Sequence, residues 1–192
     1  MTRTTSWRHF VHDAAHLGDE ALTPGFDEDA HVDRLTELAR HLDLSDPVLV
    51  DRFDQLVARQ THDYATDTVV RTPTCRIMLV SLRAGGSIGL HDHPLMGGFI
   101  LCVQGSVQLA AFDIVSEVPL HLQRVLRTTL GPGYTAALTS TQANLHHLGC
   151  ATSARLIDVF TPIAAADQRP PMRGYTLTDS IAPDLFAARR AD

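Results

Sequence analysis

The sequence lacks the features that would tie it to a membrane or to nucleic acid. Its 192 residues are 44% hydrophobic, but no apolar run approaches the roughly 18 residues that a membrane-spanning helix needs. It carries a net charge of -6 and no block of basic residues, so neither nucleic acid nor an anionic membrane surface is an expected partner. Residues 1–20 mix acidic, basic and histidine side chains and do not resemble a signal peptide.

Cysteine is also scarce. The three cysteines Cys75, Cys102 and Cys150 are odd in number and form no Cys-x-x-Cys motif. A chain of this length buries roughly 70% of its unfolded surface and needs no disulfide to stabilise its core. Free thiols are typical of a reducing compartment, so we expect a cytoplasmic protein.

The N-terminal third of the chain has helical periodicity. Hydrophobic residues recur at spacings of three and four over 27–43, and again over 46–58 after a Ser-Asp-Pro sequence that suits a helix start. We therefore predict two helices within an N-terminal helical segment, 1–62. Residues 1–25 hold scattered polar and aromatic side chains and contribute no predicted helix.

From about residue 63 the pattern changes to short apolar and β-branched runs separated by glycine and proline clusters. Many short strands with turn signals between them favour an all-β barrel or sandwich over 63–180. Residues 181–192 are rich in alanine and arginine. We predict that they form a C-terminal tail, either a short helix or a frayed end.

The most informative pattern is a pair of histidines two residues apart, His91 and His93. On a β-strand, two such side chains point to the same face. A third histidine from a distant strand, at 146 or 147, would complete a three-histidine metal site. Three protein ligands leave positions open on the metal, which is typical of catalytic sites. Because imidazole suits iron, zinc, copper and nickel, the ligands alone do not identify the metal.

These residues resemble the two motifs of the cupin superfamily. The first motif is a glycine, a short apolar stretch, His-x-His and a later glycine, matched here by Gly86, the histidine pair and Gly105. The second is a Pro-x-Gly-like turn and a later histidine, matched loosely by 131–133 and 144–146. The resemblance implies a mainly β fold, a cupin-type double-stranded β-barrel (jelly roll) preceded by N-terminal helices.

Many cupins place a glutamate a few residues after His-x-His as a fourth metal ligand. Residues 96–98 read Met-Gly-Gly, so no carboxylate is available there. Only one of the adjacent His146 and His147 can face inward on a strand, and the Asn-Leu-His pattern of the resemblance favours His146. The implied metal ligands are therefore His91, His93 and His146, with one more position free for substrate.

Residues 91–107 and 156–162 look like thiol dioxygenases of the cysteamine dioxygenase and plant cysteine oxidase group. Those enzymes combine His-Asp-His-Pro, a methionine, a glycine and an apolar strand with an Asn-Leu-His third ligand and a strand ending in Leu-Asp-Ile/Val-x-x-Pro. The resemblance implies an Fe(II)-dependent enzyme that adds both atoms of O₂ to a thiol and produces a sulfinate. It also implies a cysteamine-like thiol, or the N-terminal cysteine of a peptide, as substrate.

Two departures concern substrate preference rather than the metal site. Mammalian cysteine dioxygenase has a cysteine, cross-linked to a tyrosine, five residues after the second metal histidine. Gly98 stands at that position here, so the cross-link is absent. Cysteamine dioxygenases carry a cysteine before a C-terminal tyrosine, whereas Tyr175 follows Met-Arg-Gly.

The resemblance also suggests roles for residues around the metal. Asp158 would act as an outer-shell carboxylate that holds a ligand histidine or the substrate amine, or else it is a buried carboxylate satisfied by the backbone. Tyr175 would donate a hydrogen bond to bound oxygen or sulfur, or else pack the C-terminal segment. Asp92 points to the opposite face of its strand, where we expect a turn or surface hydrogen bond. The predicted pocket walls are Leu95, Met96 and Phe99.

The sequence is also compatible with other functions. A cysteine or 3-mercaptopropionate dioxygenase would need an arginine for the substrate carboxylate, and Arg71, Arg76 and Arg83 are all candidates. Another three-histidine cupin metalloenzyme and a non-catalytic metal- or small-molecule-binding cupin are further alternatives. Cupins are commonly dimers, so we expect a monomer or a homodimer.

Overall fold

The computed structural model describes residues 4–191, and within that range three α-helices are followed by eleven β-strands. The helices are α1 (Trp7–Gly18), α2 (Glu28–Arg40) and α3 (Pro47–Arg59), with 3-10 turns at Asp19–Leu22 and Ala166–Gln168. The strands are β1 (Tyr64–Arg71), β2 (Arg76–Leu82), β3 (Ser87–Asp92), β4 (Met96–Gln104), β5 (Val107–Glu117), β6 (Leu120–Leu130), β7 (Thr135–Leu138), β8 (Leu145–Gly149), β9 (Ala154–Pro162), β10 (Tyr175–Ala182) and β11 (Leu185–Arg190).

The two predicted helices are confirmed as α2 and α3, and a side-chain cap explains where each begins. The Asp27 carboxylate accepts a hydrogen bond from the backbone N–H of Ala30 at 3.0 Å. Asp46 caps α3 in the same way, and Pro47 occupies its first position, where no N–H is needed. None of the helices in the described part of the chain is both long and apolar enough to cross a membrane.

Helix α1 was not predicted from the sequence. Its buried side consists of Trp7, Phe10, Ala14 and Gly18, and the partly buried Val11, Ala15 and Leu17 pack beside them on the same core. These positions recur at spacings of three and four, so the sequence does carry the periodic signal of an amphipathic helix and the prediction missed it. The helix is stabilised by its contacts, since the side chains of Trp7 and Phe10 stack on one another and belong to the core beneath the helices.

The strands form two antiparallel sheets whose inner faces share one apolar core. The first sheet has the order β1-β2-β9-β4-β7, and the second the order β10-β11-β6-β5-β8-β3. Side chains from both sheets meet in the core, for example Ile100 and Leu156 from the first and Leu109 and Leu148 from the second. The predicted mainly β, cupin-type double-stranded barrel with N-terminal helices is confirmed.

The first sheet is covered on both faces, and this decides which side chains reach the barrel interior. On β2, Ile77 and Leu79 pack outward against the helices, whereas Val80 belongs to the inner core. On β9, Ile157 and Val159 likewise pack against the helices. Because successive side chains on a strand alternate, Asp158 points into the barrel.

The C-terminal segment differs from its prediction as a short helix or frayed tail. Leu185–Arg190 form β11, which pairs with both β10 and β6. Phe186 packs against the buried cluster on the outer face of the second sheet, which includes Phe112 and Leu122. The reversal between the strands is made at Asp184, whose φ is 60° and whose carboxylate accepts hydrogen bonds from Arg124. Alternating apolar contact with an existing sheet therefore overrides the helical tendency of an alanine- and arginine-rich sequence.

Candidate metal centre

Two neighbouring strands bring the three predicted histidines together. His91 lies on β3 and is paired directly with His146 on β8, and His93 follows immediately after the end of β3. One ring nitrogen from each of the three lies within 4.8 Å of the others. His93 and His146 are both 2% exposed. His147 points away from this cluster and lines a separate cleft on the outer face of the second sheet.

The imidazole orientations fit a shared metal ion. Nδ1 of His91 lies 2.8 Å from the carbonyl oxygen of Gly89, which leaves Nε2 for a metal. The Nε2 atoms of His91 and His93 are 3.1 Å apart. Two nitrogens bound at right angles to one metal, at the usual distance of about 2.1 Å, would be about 3 Å apart. A carbonyl that accepts from the second ring nitrogen is also a common way to fix a ligand histidine.

Burial keeps these imidazoles in the form that binds metal. Desolvation, reinforced by the neighbouring His91 and Arg76, lowers the pKa of His93 to about 3. Desolvation also lowers the pKa of His91 and of His146. The cluster is therefore neutral at physiological pH, and neutral imidazole is the metal ligand.

Asn144 joins the two segments that carry the ligands. Its Oδ1 accepts a hydrogen bond from the backbone N–H of His93 at 3.0 Å. Its amide nitrogen donates to the carbonyl oxygens of His93, Met96 and Thr139 at 2.9, 3.3 and 2.9 Å. The sequence pattern predicted no role for Asn144 beyond its place in the Asn-Leu-His motif. The structure shows that this buried side chain holds the turn after β3 against the start of β8.

His91 and His93 line a cavity of about 420 Å³ between β1 and β3, the edge strands of the two sheets. Tyr64 and Thr66 line one side of it, and Ile88 and Met172 lie on the other walls. Of the three arginines considered from the sequence, Arg76 lines the cavity. Arg83 instead hydrogen-bonds the carbonyl of Gln60, outside this cavity.

Asp158 is the carboxylate of this cavity. It is 5% exposed, and its Oδ1 has no hydrogen-bond partner among the described residues. Burial raises the pKa of Asp158 to about 7, although the positive charge of Arg76 opposes the shift. The alternative that the backbone satisfies the Asp158 carboxylate is not supported, because no backbone hydrogen bond to it occurs in the described part of the chain. The side chain is therefore available to a ligand in the cavity.

The structure does not bring Tyr175 to the histidine cluster. Its hydroxyl donates a hydrogen bond of 2.8 Å to Oδ2 of Asp92, on the face of β3 opposite the metal ligands. The other oxygen of Asp92 accepts from the backbone N–H of Arg173 at 2.7 Å. Asp92 points to the predicted face, but that face is covered by the C-terminal segment, so its hydrogen bonds are buried rather than superficial.

The predicted pocket walls are wrong. Phe99 packs outward into the core beneath the helices. Met96 packs with Leu138 and Phe160, and Leu95 lines a different surface pocket. The actual walls come from β1, β2 and β3 and from Met172 and Gly174, because the cavity opens between strand edges rather than along β4.

A double-stranded β-barrel in which three neutral histidines converge beside a cavity defines the protein as a cupin with a three-histidine metal-binding site. The carboxylate that many cupins add is missing, since within the described residues the cluster consists of the three histidines. The PCO_ADO family model, which describes plant cysteine oxidases and cysteamine dioxygenases, matches residues 39–177. The chain therefore belongs to this family.

Several solved structures are similar to part of this chain at low identity. KdgF from Halomonas sp. is 18% identical with a TM-score of 0.41, over 52% of this chain and 81% of that one. A protein with a double-stranded β-helix domain from Klebsiella pneumoniae is 16% identical with a TM-score of 0.46, over 59% and 89%. The polyketide cyclase RemF from Streptomyces resistomycificus is 18% identical with a TM-score of 0.43, over 61% and 74%. Among curated proteins, none matches this sequence.

Proposed function

We propose that this protein is an Fe(II)-dependent thiol dioxygenase that converts a thiol and O₂ into a sulfinate. The observation that carries the proposal is the cluster of His91, His93 and His146, which among the described residues has no carboxylate ligand and lies beside a cavity in a chain of this family. When bound, Fe(II) supplies a positive charge that attracts a thiolate and lowers the pKa of the thiol, together with the redox chemistry that O₂ requires.

The residues of the chain have distinct tasks in this proposal. The three histidines hold the metal, and their neutrality leaves its full charge available to the thiolate. Asp158 lies in the same cavity, where it would orient the amine of the substrate. Tyr175 supports β3 from behind through Asp92, so we assign it no part in the chemistry.

An amine-bearing thiol, either cysteamine-like or the N-terminal cysteine of a peptide, is the substrate that the family suggests. The unpartnered carboxylate of Asp158 supports it. Arg76 in the same cavity favours a second candidate, a carboxylated thiol such as cysteine or 3-mercaptopropionate. We further propose that the protein acts in the reducing cytosol as a monomer or a homodimer, and its three free, buried cysteines support that compartment.

The test is oxygen uptake by protein that has been loaded with Fe(II) without air. The thiols would be cysteamine, cysteine, 3-mercaptopropionate and a peptide that begins with cysteine, and mass spectrometry would identify the sulfinate. We expect uptake with at least one thiol, loss of uptake in His91→Ala, and no uptake by the Zn(II)-loaded protein. Bound iron without uptake for any thiol would contradict the proposal and favour another three-histidine cupin metalloenzyme or a non-catalytic metal- or small-molecule-binding cupin.

A further inference from the structure

Among the described residues that line the cavity beside the histidines, one is a guanidinium cation, Arg76, and one is a carboxylate, Asp158. Arg76 is on β2 and Asp158 on β9, and the strands are paired so that Met78 lies directly opposite Asp158. Arg76 is two residues from Met78 and therefore shares its face of the sheet. Arg76 and Asp158 are thus diagonal neighbours on the inner face, a relation that separates backbones by about 7–8 Å.

Within residues 4–191, no side chain of opposite charge is paired with Arg76 or with Asp158. Oδ1 of Asp158 and Nε of Arg76 are both buried without a hydrogen-bond partner among the described residues. The polar contact recorded for Arg76 is a 3.9 Å approach of Nη1 to the sulfur of Met172. No ion pair joins Arg76 to Asp158 in the described part of the chain. By contrast, Arg155 on the neighbouring strand β9 does form an ion pair, in which its Nη2 lies 2.7 Å from Oδ1 of Asp54.

The carboxylate of Asp158 is the costly member of this pair, because it is 5% exposed and removing a charged group from water without a partner costs several kcal/mol. Arg76 is half-buried and lines the same cavity. A ligand that carries both a cation and an anion would satisfy the two side chains together. A guanidinium is also shaped to bind a carboxylate through two parallel hydrogen bonds.

We propose that Arg76 and Asp158 form a bipolar subsite for thiols that carry an ammonium and a carboxylate on one small skeleton, as cysteine does. Arg76 binds the carboxylate and Asp158 binds the ammonium, while the thiol points toward the three histidines. The inference rests on the proposed thiol dioxygenase function and assigns its substrate class. Cysteamine has no carboxylate for Arg76 to bind, and 3-mercaptopropionate has no ammonium for Asp158 to bind. The first residue of a peptide carries an amide in place of the carboxylate.

The test is calorimetric binding of these four thiols to the Fe(II)-loaded protein without O₂. We expect cysteine to bind most tightly. Arg76→Gln should weaken cysteine and 3-mercaptopropionate by about 10- to 100-fold and change cysteamine much less. Asp158→Asn, a substitution of nearly equal size, should weaken cysteine and cysteamine and leave 3-mercaptopropionate unchanged. The matched control is Arg155→Gln, which removes an arginine from the outer face of the same sheet and should change none of the four.

The outcomes separate this inference from the proposed function. If cysteamine or the peptide binds at least as tightly as cysteine, or if Arg76→Gln weakens cysteine and cysteamine equally, the bipolar subsite is wrong. In that case, oxygen uptake with any of the thiols still supports the thiol dioxygenase. Iron-loaded protein that neither binds nor oxidises any of them overturns the proposed function itself. Iron content and a thermal melt of each variant show whether a loss of binding reflects a loss of fold.

Discussion

The hydroxyl of Tyr175 donates a 2.8 Å hydrogen bond to Asp92, the residue between the two histidines of the His-x-His pair. Burial raises the pKa of Tyr175 to about 12, so the phenol remains a donor at physiological pH. The backbone N–H of Arg173 is the second donor to Asp92. A tyrosine from the C-terminal hairpin thus holds the back of the strand whose front carries metal ligands.

Tyr175→Phe should therefore lower stability without emptying the metal site. Removing one donor to a buried carboxylate costs about 1–3 kcal/mol, and the remaining bond from Arg173 keeps Asp92 partly satisfied. Urea unfolding measures the loss, and metal analysis should show the same iron content per chain as in the unchanged protein. A variant with normal iron content that has lost thiol oxidation would give Tyr175 a direct part in the chemistry.

The adjacent histidines of β8 provide a matched pair for the metal site. His146 faces the cluster, whereas His147 is half-buried on the opposite face of the strand. We expect His146→Ala to reduce bound Fe(II) at least tenfold at a fixed metal concentration, because two protein ligands remain. His147→Ala removes the same atoms one residue away and should keep full metal content. Equal losses in both variants would contradict the assignment of His146.

The histidine cluster was predictable because its geometry depends on local rules. Two histidines separated by one residue share a face of any strand, so His91 and His93 could be paired without knowledge of the fold. The walls of the cavity depend instead on register. Since the first sheet is apolar on both faces, β4 has no alternation of polar and apolar residues to show which side Phe99 takes.

The C-terminal hairpin was unpredictable for a related reason. Its strands gain stability from covering the outer face of the second sheet, where Phe186 meets Phe112 with ring centroids 5.9 Å apart. That partner is over 70 residues away in the sequence. If the hairpin is not known, the face of β3 that carries Asp92 is predicted to be exposed, and the predicted role of Tyr175 lies near the metal.

Gly98 occupies the position of the cross-linked cysteine of mammalian cysteine dioxygenase. The pairing of β4 with β9 in the first sheet leaves no room for a side chain at this position. A Cβ there would lie 1.9 Å from the carbonyl oxygen of Val159. Since this neighbour is backbone within a paired strand, it cannot rotate away. The absence of a cross-link at this position is thus enforced by the close approach of two strands.

Gly98→Ala should destabilise the protein by at least about 2 kcal/mol, in the range of overpacked cores or above it. Gly131→Ala is the control, because a Cβ at Gly131 has no atom within 4 Å and its φ is not positive. Urea unfolding of both variants beside the unchanged protein measures the difference. Similar midpoints for the two variants would mean that β4 and β9 separate at little cost.

His31 should make the stability of the protein fall in mild acid. Its side chain on α2 is 0% exposed, and Nε2 lies 2.9 Å from the hydroxyl of Thr161 on β9. Burial, with the positive charge of Arg34, lowers the pKa of His31 to about 4. An unfolded histidine has a pKa of about 6.5, so between these values the unfolded chain binds a proton that the native protein excludes.

The free energy of unfolding should therefore decrease as the pH falls from about 6.5 toward 4, and the contribution of His31 reaches about 2 kcal/mol at pH 5. His31→Gln keeps a group that can hydrogen-bond Thr161 and removes the titration. Urea unfolding of metal-free protein at pH 7.5 and pH 5.0 measures the effect, with the metal-site histidines common to both proteins. The drop in stability between the two pH values should be about 2 kcal/mol smaller in the variant, because the proton that its unfolded chain would have gained no longer has a binding site. An identical drop in both proteins would mean that His31 is protonated in the folded state and keeps its place beside Thr161 as a cation.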